Sequence, residues 1–138
     1  MAVFAYTDAS VTINSVDLSD HVTEATIEYS ADEVEVTAMG DTAHARIAGL
    51  TDSSISVTFN QDYAASEVDA TLFSLIGAAA FNVVLKPTSG SVSATKPSFT
   101  QSSVLTSYNP QGGSIGDAGS TSASFSNAGG TGLARATS

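Results

Sequence analysis

Cysteine and tryptophan are both absent from these 138 residues, and lysine and arginine together number 4. Without cysteine the chain can hold neither a disulfide framework nor a thiolate metal centre, so its stability must come from packing or from assembly with other chains. With 4 cationic side chains against 14 acidic ones, and a net charge of −10, it lacks the basic patch needed to neutralise nucleic-acid phosphates. No stretch approaches the roughly 18 consecutive apolar residues of a membrane span. The opening MAVFAYTDAS has neither a basic start nor an apolar run of signal-peptide length, so the chain reads as made in a cytoplasm, with no membrane partner. Catalytic signatures are missing too. Serine is abundant, but no G-x-S-x-G elbow presents one as a nucleophile. Gly113, Gly116 and Gly119 precede no strand-to-helix unit and form no phosphate loop. Asp32, Glu33 and Glu35 lack the D-x-D-x-D-G spacing of a calcium loop. His21 and His44, with Asp17, Asp20 and Asp41 nearby in sequence, match no metal-ligand spacing. No enzyme activity, metal or cofactor is expected.

What is present is alternation. Ile55, Val57, Phe59 and Gln61 alternate with Ser56, Thr58, Asn60 and Asp62, the period-two signature of a strand with one apolar face. Glu24 to Tyr29 repeats the pattern, with Ala25, Ile27 and Tyr29 set against Glu24, Thr26 and Glu28. Val11–Ile13 and Val16–Leu18, joined through Asn14-Ser15, read as a short hairpin or a bent edge strand. Phe81–Leu85 reads as a strand ended by Lys86-Pro87, because proline removes a ladder donor. After a Ser/Thr-rich loop, Phe99–Tyr108 and Ser120–Phe125 read as strands separated by the turn residues Asn109-Pro110-Gln111-Gly112-Gly113. One helix interrupts this series. Ser66 and Asp69 have capping-box spacing, Val68, Leu72, Leu75 and Ile76 fall at i, i+4, i+7 and i+8, and Gly77 supplies the stop. Those four side chains are the predicted packing core of a helix lying flat on a sheet, each contributing roughly 1.5–3 kcal/mol on burial.

The length fits a single domain, residues 1–138. The predicted fold is mainly β: an antiparallel β-sandwich or partly closed barrel flanked by that one helix. Between the two clearest strands lies a polar excursion, residues 30–52, in which Val34, Val36, Ala43, Ala45 and Ile47 allow a second hairpin around Met39-Gly40-Asp41. An excursion this long that is neither Gly/Ser filler nor apolar is usually functional. Residues 128–138, rich in Gly, Ala and Thr, read as a flexible tail or a short edge strand. Charge is uneven: residues 1–69 carry 13 acidic and 1 basic side chain, residues 70–138 carry 1 and 3.

Four segments taken together, GDTAHARIAGLTDSSISVTFNQD at 40–62, AASEVDATLFSLIG at 64–77, FNVVLKPTSGSVSATKPSFT at 81–100 and YNPQGGSIGD at 108–117, resemble the major tail (tail tube) proteins of long-tailed, siphovirus-type bacteriophages, particularly those of actinobacteria. The order, spacing and total length carry the resemblance. It implies a virion structural protein, assembled in the host cytoplasm, whose hexameric rings stack into a tube for DNA ejection and whose sheets join into one continuous barrel. It implies as partners further copies of the chain, a tape measure protein and tail-tip or terminator proteins, with DNA passing transiently and without sequence preference. It also makes residues 30–52 the extended loop that reaches another subunit, through Asp32, Glu33, Glu35, Asp41, His44 and Arg46.

On this reading the polar strand faces supply the tube wall, with Glu24, Glu28, Ser56, Thr58, Asn60 and Asp62 as candidate lumen-facing residues. An acidic wall repels phosphates within a Debye length of about 8 Å, whereas each Lys or Arg would add a sticking point. Two other readings are a different virion component, such as a capsid decoration protein, and a secreted or surface carbohydrate-binding β-sandwich, which would want a signal peptide and exposed aromatics for sugar stacking, whereas this sequence has no tryptophan.

Overall fold

The computed structural model describes residue 5 and residues 7–138. Its strands are β1 (Ser10–Ile13), β2 (Val16–Asp17), β3 (Val22–Glu35), β4 (Arg46–Asn60), β5 (Phe81–Lys86), β6 (Ser98–Tyr108), β7 (Ser120–Asn127) and β8 (Ala134–Ala136). One α-helix, α1 (Val68–Leu72), runs on into a single 3-10 turn, Phe73–Leu75. The strands make one antiparallel sheet with the path β2-β1-β5-β6-β7-β4-β3, while β8 pairs with the start of β6. The fold is therefore mainly antiparallel β with one flanking helix, as the alternation predicts, and the sheet is unclosed. It curls: Ala25, Ile27 and Tyr29 of β3 line the same groove as Leu85 and Phe99 of β5 and β6, although β4 and β7 intervene in the path.

The alternating residues explain the core. Ile55, Val57 and Phe59 of β4 point inward with Ala123 and Phe125 of β7, Val83 and Leu85 of β5, and Val11 and Ile13 of β1. Phe81 meets Phe125 edge to face, centroids 5.9 Å apart and planes at 84°, the geometry that ring quadrupoles favour. The inward face of β6 departs from this pattern. Gln101 and Ser103 are wholly buried there. Ser53 Oγ donates to Gln101 Oε1, and Gln101 Nε2 donates to Ser103 Oγ at 2.7 Å, so the buried amide is satisfied on both sides.

At the β1–β2 hairpin Asn14 and Ser15 have φ of 49° and 68°, the double left-handed conformation of a two-residue type I′ turn. The helix start corrects the capping-box expectation. Ser66 sits at φ 64°, Glu67 is the N-cap, and no side chain caps the helix. The preceding connection does the work instead, since the Asp62 carbonyl accepts the Asp69 N–H at 3.0 Å. Asp69 does not reach back; its carboxylate accepts the Tyr108 hydroxyl at 2.7 Å and ties α1 to β6. Val68, Leu72 and Leu75 are buried, whereas Ile76 is 48% exposed, because the chain turns extended at Ile76 and the helical period stops there.

The largest departure from the sequence expectation concerns β3 and β4. The predicted strand ending at Tyr29 and the predicted second hairpin are one continuous hairpin. β3 and β4 stay in register from Glu24 opposite Thr58 out to Glu35 opposite Arg46, with an irregularity between Ala31 and Glu33.

Candidate functional site

Three features are organised beyond what packing requires: the outer face of the sheet, the arm at the end of the β3–β4 hairpin and a cluster of acidic groups around His21.

The outer face is built by strand register. Ser54, Ser56, Thr58 and Asn60 of β4 lie directly opposite Ser126, Ser124, Ser122 and Ser120 of β7. On the other side of β4, Glu28, Thr26 and Glu24 lie opposite Ser54, Ser56 and Thr58. Opposite residues project from the same face, so these side chains form one contiguous field, dominated by hydroxyls and carrying Glu24 and Glu28 as its charges. Five of the six candidate lumen residues, Glu24, Glu28, Ser56, Thr58 and Asn60, are brought together there. Asp62 is not: it lies beyond the end of β4 and faces His21. The serines of β7 belong to the field and were not among the candidates. Their signal was the S-x-S-x-S alternation in STSASFSN, which identifies a strand but not its neighbour.

The arm arises because β4 pairs with β7 only over Ser54–Asn60. From Ser53 back to Arg46 its only ladder among the described residues is with β3, and nearly every residue of 28–52 is exposed. Eight residues of strand extend roughly 27 Å at about 3.4 Å each. Along β3 the polarity inverts. Ala25, Ile27, Tyr29 and Ala31 form the inward row, but the next members of that row are Glu33 and Glu35. The outward row runs Glu24, Thr26, Glu28, Ser30 and Asp32, then reaches Val34, which pairs with Ile47. The arm thus carries an apolar stripe on the side opposite to the core. On its other side Arg46 Nε lies 2.6 Å from Glu33, and His44 hydrogen-bonds Glu35. Of the six predicted intersubunit residues, Glu33, Glu35, His44 and Arg46 are thus engaged within the arm itself. Asp32 sits on the stripe side, and Asp41 turns the tip by accepting the Ala38 N–H at 2.8 Å.

A third cluster gathers around His21. Nε2 lies 2.9 Å from Asp62, and Nδ1 lies 2.8 Å from Asp20 and 3.5 Å from Glu67. Asp62 and Glu67, not the sequence neighbours Asp17 and Asp41, are the partners that folding supplies. The Asp62 hydrogen bond holds the imidazole pKa above its usual value, against the opposing effect of burial, and Asp20 and Glu67 add to the rise. Asp62 is in turn held below the usual carboxylate range by the Ala64 N–H and then by His21. The arrangement is an ion cluster joining the turn before β3 to the β4–α1 connection. Asp20, His21 and Glu67 offer three donor atoms within 4.8 Å of one another; as an imidazolium, His21 spends both ring nitrogens on carboxylates.

No protein-family model matches the chain, and no curated protein matches it in sequence. Solved structures do. A chain from the virion of a native gene transfer agent particle superposes with a TM-score of 0.72 at 17% identity, covering 97% of this chain and 99% of that one. A chain from the sheath-tube complex of an extracellular contractile injection system in its extended state gives 0.72 at 9% identity, over 99% and 92%. A chain from the tail of an empty gene transfer agent particle, refined with C6 symmetry, gives 0.62 at 18% identity, over 86% and 82%. The likeness runs over essentially whole chains, so the fold is that of phage-like tail and tube proteins.

Proposed function

We propose that the protein is the structural subunit of a hollow, phage-like tail tube, built as hexameric rings of this one chain stacked end to end. The observation that carries the reading is the unfinished sheet. β3 offers 14 residues of edge that no described strand pairs, and the arm that its far half forms with β4 has no cover among the described residues. A long open edge in an isolated subunit invites indiscriminate pairing, whereas closure into a multi-subunit barrel removes it. The C6 symmetry of one tail with the same fold supports six as the ring number.

In such a tube the hydroxyl-rich outer face serves as the wall facing DNA. Its residues refine the electrostatic idea. Instead of a dense acidic lining, each subunit presents small neutral hydroxyls with Glu24 and Glu28 among them, while Lys86 stands at the rim opposite Ser10. Neutral groups offer phosphates no ion pair, and the two carboxylates keep the helix off the wall within a Debye length of about 8 Å. The arm, residues 30–52, reaches a neighbouring subunit. Proteins at the tube ends and a tape measure protein complete the partners, the tail of a virion is the location, and the role is structural, not catalytic.

Negative-stain electron microscopy of the purified protein at rising concentration tests the reading. Stacked rings with a central hole are expected. Monomers persisting at high concentration, or discrete solid trimers or pentamers, would overturn it.

A further inference from the structure

The described residues include ten large apolar or aromatic side chains that are exposed, and they fall into two groups. Six are on the hairpin: Tyr29, Val34, Val36, Met39, Ile47 and Leu50. The other four, Tyr63, Phe73, Ile76 and Ile115, surround the helix and the β6–β7 turn. Solitary exposed hydrophobes need no explanation, but two gathered sets do.

The groups sit at opposite ends of the same strand. Ile47 is near the start of β4, and Tyr63 follows its end at Asn60. From Ile47 to Phe59 an extended strand spans roughly 40 Å, so one rigid chain cannot lay its arm on its own helix. A second copy displaced along the strand direction can. The polarity inversion sets the orientation: the Val34–Ile47 stripe faces away from its own core, leaving it bare for a neighbour. At the other end Phe73, 66% exposed, is flanked by two pockets of about 390 and 370 Å³. One is lined by Tyr63, Asp69, Phe73, Pro110 and Gln111, the other by Phe73, Ile76, Tyr108 and Pro110. Each has room for an unbranched or γ-branched aliphatic side chain such as that of Met39, which stands fully out in solvent at the tip. On the arm Glu33 and Glu35 are paired with Arg46 and His44 on the side away from the stripe. Asp32 on the stripe side and Asp69 in the acceptor pocket, which accepts the Tyr108 hydroxyl, are the acidic groups that the contact has to keep apart or in solvent.

We infer that the arm of one copy docks its apolar stripe and tip on the Phe73–Ile76 patch of the next copy, a head-to-tail contact that makes this patch the acceptor site for assembly. The inference rests on the tube reading for its setting and adds the surface that receives the arm. A contact between two different patches repeats without limit unless a rotation closes it, which suits rings and stacks and does not suit an isolated dimer. Tyr29 lies on the inward row, away from the stripe, so few side chains of the arm meet the four of the patch. Single contacts are weaker than those of specific pairs that bury roughly 1,200–2,000 Å², and the array accumulates them.

The absence of cysteine makes the test direct. Met39 and Phe73 are exposed, so M39C and F73C should fold as the parent does. A disulfide needs Cα atoms within about 7 Å, which makes cross-linking a proximity measurement. Under mild oxidation the double variant M39C/F73C, or I47C/F73C if the stripe and not the tip seats deepest, should give a ladder of covalent oligomers. Each single variant should stop at dimer. The control M39C/T95C, which tests the apolar groove beside Tyr29 as the receiver, should give no ladder. Rings or tubes by electron microscopy with no ladder from either F73C pair, or a ladder from the Thr95 control alone, would overturn the docking while leaving the tube intact. Failure of the parent to assemble, with no ladder from any pair, would bring down both.

Discussion

β3 and β4 are each one strand with two lives. Over Ser54–Asn60, β4 has β7 on one side, β3 on the other and a packed core beneath. Over Arg46–Ser53 the same strand has one neighbour and, but for Ser53, almost nothing beneath it. The β3–β4 ladder runs on through the boundary, while the β7 ladder and the core stop there. Two-stranded ribbons are marginal alone in water, so the body half specifies the fold and the arm half is held out for something else to complete.

The sharpest break of that comparison is a pair of truncations. Phe125→Ala removes a ring packed against Phe81 and should cost about 3–5 kcal/mol, read as a fall in the denaturant midpoint. Ile47→Ala should leave the monomer within about 0.5 kcal/mol of the parent, because its side chain has nothing to lose until a partner arrives. A large monomer effect at Ile47 would mean that the arm is part of the body after all. Next in size is Gln101→Ala, which orphans Ser53 Oγ in the core, leaves Ser103 Oγ only its bond to the backbone carbonyl of residue 101, and should cost about 1–3 kcal/mol. Tyr108→Phe, releasing Asp69 at the helix start, should cost about 1 kcal/mol. The hydroxyl sits within the network closely enough that burial, then its carboxylate neighbour, pushes its own pKa to about 12, so the effect should persist across the neutral range.

The His21 cluster predicts a pH dependence of the body alone. A raised pKa in the folded state contributes stability that is complete below the unfolded value near 6.5 and is lost as pH rises through the folded value. Asp62, lowered on folding, contributes in the other direction, with its share lost as pH falls through its own folded value. Melting curves should therefore show a decline as pH rises above the unfolded value near 6.5 that His21→Gln abolishes, and Arg46→Gln on the arm should leave that decline in place. Smallest in stability but most telling for the wall is Glu24→Lys with Glu28→Lys and Ser124→Lys. Tubes should still form from this variant, and DNA delivery by particles carrying it should slow; normal delivery would remove the outer face from the DNA path.

How much of this was legible in the chain follows from what alternation reports. Period two reports burial, so strands were readable wherever one face meets the core, and Ile55, Val57, Phe59, Val83 and Phe125 lie where that pattern puts them. It goes silent at Tyr29, where the core ends but the ladder does not, so the pattern of one long hairpin looks like a strand plus a separate excursion. The helix cap failed for a related reason. Ser66 and Asp69 have the right spacing, but the Asp62 carbonyl already holds the Asp69 N–H, and the Asp69 carboxylate goes to Tyr108, 39 residues on. Ile76 fits the helical period and falls outside it in space, because the last turn tightens and then extends.

By itself the sequence determined which residues seek an interior, that the chain is mostly strand with one helix, and that it has too few cations to grip phosphates. These follow from the chemistry of single side chains and their local period. Only the tertiary structure decided which faces are shared: that β7 serines lie beside β4 serines, that Asp62 leaves the outer field for His21, and that the apolar row of β3 changes sides at Glu33. Those are matters of register between strands distant in sequence, and a side-chain pattern in one strand does not say which partner will lie beside it or where that partner's own support ends.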